Sequence, residues 1–164
     1  INMKIDGPGS KKLSQKDADK LLLQQLKDKA KALADLETTY VQIVQTGAGE
    51  WGLASLTRLG QAYENMGTSL LGSWIPSYLT EEQKEIYTMT LQDKAYPQTE
   101  KAVAAYSQAL QKGYELSLYN ENTAFAARRL GELRPKDFPG LFETIPDTHF
   151  SAPSVVTSSF EPSL

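Results

Sequence analysis

This sequence predicts an all-α chain of antiparallel helix hairpins, on three observations. Leu56, Leu59 and Tyr63 recur at i, i+3 and i+7 in the run LTRLGQAY, so they share one face of a helix, and Gly60 beside Leu59 leaves room for a second backbone to come close. The pattern echoes at Ala127, Leu130 and Gly131, in a helix that ends at Arg134 and Pro135. Ala102, Tyr106 and Ala109 lie at i, i+4 and i+7, small, large and small on one face. Internal echoes of this kind belong to repeated helix pairs, which bury their apolar faces against neighbours instead of closing one round core.

The 164 residues suit one domain, which buries roughly 70% of its unfolded surface if compact. Forty per cent apolar and 23% charged residues describe a helical, water-soluble chain. No run approaches the ~18 apolar residues of a membrane span, and no charged-then-apolar signal segment opens the chain. The start at Ile1 rather than at methionine is the expected mark of a fragment or a processed form. Seventeen basic against 20 acidic residues argue against a nucleic-acid binder, which needs a basic stripe interleaved with aromatics. The absence of cysteine excludes disulfides, thiol catalysis and cysteine-ligated zinc. The single histidine, His149, stands in a proline-rich stretch without a partner that would make it a base. No cofactor and no metal are expected.

In chain order, Gly7, Pro8 and Gly9 mark residues 1–13 as an extended lead. Ser14 caps the first helix with Asp17 three residues on. Leu22, Leu26, Leu33, Leu36, Tyr40 and Val44 hold helical spacing to Thr46. Gly47 and Gly49 break that helix, and a second runs over residues 50–71, closing an αα-hairpin. Trp51 and Trp74 flank it as expected wedges at the ends of the helical layers. Thr80 and Gln83 form a capping box for a third helix, with Glu81 and Glu82 at its positive end. Pro97 is expected to kink or break that helix before Gly113 ends it.

Leu56-x-x-Leu59-Gly60-x-x-Tyr63 resembles the first helix of a tetratricopeptide repeat, and Ala102-x-x-x-Tyr106-x-x-Ala109 resembles the second. Residues 72–100 then form a long insert within one repeat, and Ala127, Leu130 and Gly131 resemble the first helix of a following one. The runs AYENMGTSLL, YLTEEQKEIY, KAYPQTEKAVAAY, LYNENTAFAARRLGELRP and DFPGLFETIPD together are similar to the C-terminal portion of large tetratricopeptide proteins of myxobacteria. Those proteins are linked to adventurous gliding motility and the cell envelope. The resemblance implies an α-solenoid domain over residues 14–147, placed in the envelope or periplasm with the cytoplasm left open, and a scaffold without chemistry of its own. Repeat packing then falls to Leu56, Leu59, Gly60, Tyr63, Ala102, Tyr106, Ala109, Leu130 and Gly131.

Past Pro135 the composition changes. Phe138, Pro139, Leu141, Phe142 and Ile145 form an apolar run suited to lying extended in a groove, either packed back over the last helix as a lid or as a partner-binding motif, and residues 148–164 read as a disordered tail. A partner protein or peptide is expected on the concave face, at Ala54, Thr57, Gln61 and Glu64 of the second helix and Phe125, Arg128 and Glu132 of the fourth. Repeats that clamp a peptide's terminal carboxylate carry lysine and asparagine where Thr57 and Gln61 stand, so that role is not expected. Arg128 and Arg129 suit an acidic partner or an internal bridge to Glu132 or Asp137. The alternative function is a structural end piece that self-associates into a homo-oligomer.

Overall fold

The computed structural model describes Ile5 and residues 14–139. The expected lead apart from Ile5, the apolar residues 141–145, His149 and the tail 148–164 lie outside them. Four α-helices and no strand make up the described residues: α1 Gln15–Gln45, α2 Gly49–Leu71, α3 Glu81–Glu115 and α4 Glu121–Leu133. Each start is capped by local chemistry except that of α2. Ser14 Oγ accepts the Asp17 N–H at 3.3 Å. Thr80 and Gln83 exchange both bonds of a capping box, and Asn120 Oδ1 accepts the N–H groups of Asn122 and Thr123. Gly47 adopts φ +73° in the turn between α1 and α2, a conformation that a side chain would strain.

Buried positions of α2 explain its place in the middle of the molecule. Leu53, Leu56, Gly60, Tyr63, Gly67 and Leu70 alternate three and four apart, which makes one continuous buried stripe, while Gly52, Ser55, Leu59 and Met66 are buried as well. A helix buried over so wide an arc needs neighbours on two sides. They are α3, its most extensive contact, and α1; α4 packs on α3 and also touches α2. Between α1 and either α3 or α4 the backbones make no close approach. Helices consecutive in sequence are therefore neighbours in space.

The core divides in two along α2 and α3. One cluster gathers Leu53, Leu56, Leu59 and Tyr63 with Ala102, Ala105, Tyr106 and Ala109 of α3 and Ala126 and Leu130 of α4. The other holds Met66, Leu70, Leu91 and Ala95, with Leu26 and Leu33 of α1 against it. Gly60 sits over the Tyr106 ring, where an added Cβ would lie 2.5 Å from Cε1. A ring, not a second backbone, fills the space that Gly60 leaves. The backbones of α1 and α2 come close elsewhere, where a Cβ on Gly52 would lie 3.8 Å from Val44 Cα.

Three further expectations are corrected. α3 runs through Pro97 without the expected break, because the turns on either side are held in the core by Leu91, Ala95, Ala102 and Tyr106. The residues expected as an insert are accordingly a connection over 72–80 and the first half of α3. Gly113 does not end α3, which continues to Glu115; it is buried against Thr123 of α4 instead. Trp51 is 73% exposed and wedges nothing: its neighbour Gly52 faces α1, and one step along the helix turns the indole about 100° away.

Candidate functional site

Between α2 and α4 lies an open groove of about 380 Å³, lined by Gln61, Glu64, Asn65 and Thr68 of α2 and Phe125, Arg128 and Arg129 of α4. The geometry begins with helical spacing. Gln61, Asn65 and Thr68 lie at i, i+4 and i+7 on α2, and Phe125 and Arg128 at i and i+3 on α4. Two helices that touch through their buried stripes leave the adjoining edges as walls of a furrow.

Arg129 closes the floor. Its Nε donates to Glu64 Oε2 at 3.1 Å, a second guanidinium nitrogen bonds Glu64 Oε1, and a third pairs with Glu132 Oε2. Glu64 Oε2 also accepts the Tyr106 hydroxyl at 3.0 Å. One half-buried carboxylate thus ties α2, α3 and α4 together, with the bidentate geometry that arginine supplies. Burial, and then the charge of Glu64, push the Tyr106 phenol well above the ordinary tyrosine value. Arg129 carries one positive charge against the two carboxylates of Glu64 and Glu132, so the trio is net −1 and Arg128 is the cation that balances it.

Arg128 stands otherwise. Its guanidinium lies over the Phe125 ring at 5.2 Å, a cation–π contact, and it forms no ion pair among the described residues. On the opposite wall, Asn65 Oδ1 accepts the Lys29 ammonium at 2.7 Å. Lysine only donates, so this bond fixes the amide's orientation and turns its two N–H donors away from Lys29. Lys29 is itself buried and also donates to Ser69 Oγ at 2.6 Å; burial holds its ammonium below the usual lysine range. The groove therefore offers a cation above an aromatic face, with the Asn65 side chain on the other wall.

Gln61, Glu64, Phe125 and Arg128, four of the residues expected on a partner-binding face, come together here. Glu132 is adjacent through Arg129. Ala54 is half-buried and does not line the groove. Thr57 is corrected: it is 2% exposed, and its hydroxyl donates to Leu53 O within its own helix at 3.1 Å, so no partner reaches it. The predicted stripe was out of phase by about one residue, since α2 is flanked on two sides and the Thr57 direction is taken up by packing. Asn65 and Thr68 were missed, although their spacing from Gln61 is a legible signal. Of the packing residues, Leu56, Leu59, Gly60, Tyr63, Ala102, Tyr106, Ala109 and Leu130 are buried and Gly131 is half-buried.

Among the described residues no cluster of three or more acidic or histidine side chains is placed to hold a metal ion, and no helix is long and apolar enough to cross a membrane. Compared with protein-family models, curated proteins and solved structures, the chain matches none.

Proposed function

We propose that the domain is a non-enzymatic protein-interaction scaffold whose α2–α4 groove takes an extended segment of a partner through an acidic side chain on Arg128. The observation that carries this is the Arg128 guanidinium held on the Phe125 ring with no carboxylate of its own. An arginine fork fits a carboxylate with two parallel bonds, and Asn65 lines the same space from the other wall. The solenoid reading draws support from the packing order, in which each helix packs on its sequence neighbour and α2 also meets α4, as helices of successive pairs do. The parent as a longer envelope or motility protein rests on the sequence resemblance alone.

The test is affinity capture from lysate and membrane fractions, native domain against Arg128→Glu. Arg128 is exposed, so the change leaves stability within about 0.5 kcal/mol. A partner that the native domain retains and the variant loses is the expected result. The same proteins recovered with both overturn the reading.

A second reading, self-association through one end of the bundle, is favoured by Trp51, Tyr114, Leu116 and Tyr119. All four are exposed apolar side chains, and they share that end, where Leu116 reaches the first turn of α2 at Gly49 and the two tyrosine rings lie 6.3 Å apart. Light scattering of the same preparation decides it, a monomer at high concentration removing the reading.

A further inference from the structure

Two helices of this chain turn opposite charge to the outside. On α1, Lys16, Lys20, Leu23, Lys27 and Lys31 recur three or four residues apart and are all exposed, which makes one stripe on the side opposite the buried Ala18, Leu22 and Lys29. On the first half of α3, Glu82, Ile86, Met89, Asp93 and Tyr96 do the same, with exposed Glu85 beside them, opposite the buried Leu91 and Ala95. We infer that these faces are the two halves of one contact, the α1 stripe of one copy lying on the α3 stripe of a second copy of this chain.

Each face lacks what the other carries. Lys16 with Lys20 and Lys27 with Lys31 are like charges four apart, which repel within a free helix, and none of the four forms an ion pair among the described residues. Glu82, Glu85 and Asp93 have no basic partner there either. Leu23, Ile86, Met89 and Tyr96 are each more than half exposed, so apolar surface lies among the charges of both stripes. α4 packs its Ala126 and Leu130 among Ala102, Ala105, Tyr106 and Ala109 of the second half of α3, and leaves the stripe on the first half bare.

Length and register match. Lys16 to Lys31 and Glu82 to Tyr96 each span about 21–22 Å at ~1.5 Å per residue. When Leu23 is set on Met89, with the helices running either way, Lys20 and Lys27 come within one residue of Glu85 and Asp93. The outer lysines then fall at Glu82 on one end and at the Tyr96 ring, a face for an ammonium, on the other. Sign and topology fix the occupant. α1 and α3 make no close backbone approach within one molecule, and both stripes face away from the core, so they meet between copies. Either face laid on its own counterpart would set like charges together, so the contact joins unlike faces.

Sedimentation of the full chain over a concentration series tests this, with Lys20→Glu plus Lys27→Glu as one variant and Glu85→Lys plus Asp93→Lys as the other. All four positions are exposed, and circular dichroism checks that both variants keep the native helix content. The native chain should self-associate, less tightly as salt rises. Each variant alone should associate at least about tenfold more weakly. An equimolar mixture of the two should recover the native behaviour, because every contact between unlike variants is again opposite in sign. A native chain that stays monomeric at the highest concentration, a variant that associates as the native chain does, or a mixture no tighter than its parts overturns the inference. None of these positions lines the Arg128 groove or belongs to the end that carries Trp51, so the outcome is independent of what binds at either.

Discussion

Gly60 and Gly131 occupy the same place in two Leu-Gly pairs, yet the structure asks different things of them. At Gly60 a methyl group would enter the ring of Tyr106, which is fully buried and hydrogen-bonded to Glu64, so neither partner yields. At Gly131 it would meet only Phe138 O at ordinary contact distance. Gly60→Ala should therefore lower stability by about 1–3 kcal/mol through overpacking. Gly131→Ala should be neutral or gain up to ~1 kcal/mol from helix propensity. Urea unfolding of the two variants checks both, and equal effects would mean that the Tyr106 ring is not where the structure puts it.

At the scale of the helix, Pro97 sits inside α3 at an exposed position, removing a hydrogen bond and crowding the preceding turn. Pro97→Ala should raise stability by about 2 kcal/mol, read as a higher urea midpoint with an unchanged slope. A fall would show that the proline ring itself is needed for packing. That proline also marks how far the elements were legible. The capping residues Ser14 and Thr80, the Gly47 turn and the Arg134-Pro135 stop act within a few residues, so helix ends could be read from the sequence almost to the position. Whether Pro97 breaks a helix depends on the flanking turns held by Leu91, Ala95, Ala102 and Tyr106, all buried against α2, which is tertiary information. The groove was half legible for the same reason. Spacing puts Gln61 and Glu64 near one another and Phe125 beside Arg128, but the phase that buries Thr57 and exposes Thr68 follows from having α1 and α3 on both flanks. The Arg129–Glu132 bridge was legible at i, i+3, whereas Glu64 as the tie among three helices, through Arg129 and Tyr106, has no local signal.

Across the whole molecule, the ionisable groups set an alkaline limit. Burial raises the phenols of Tyr63 and Tyr106, with Glu37 and Glu64 adding to it, and the bond to Asp19 pushes Tyr78 up to about 12. Each of these groups binds its proton more tightly folded than unfolded. Their stability is intact below the unfolded value of about 10 and is lost as pH rises through that value towards the folded one. Lys29, lowered by burial, has the opposite sign, but it is one group against three. Melting temperature should fall as pH rises above about 10, with each buried phenol contributing up to about 1.4 kcal/mol per pH unit. Tyr106→Phe, less stable at neutral pH by about 1 kcal/mol for the lost bond to Glu64, should fall less steeply. A slope unchanged by that substitution would remove Tyr106 from the account.

The order of packing has a mechanical side as well. Among the helices α1 brings its backbone close to α2 alone, while its Asp19 accepts the Tyr78 hydroxyl of the connection before α3, and α2 touches every other helix. A pull applied to α1 reaches the Arg128 groove chiefly by way of α2, whose grip on the far side is the Gly60–Tyr106 contact and the Glu64–Arg129 bridge, with the Asp19–Tyr78 bond as a side path. Load therefore passes through the molecule largely in series, with the second helix as its principal link.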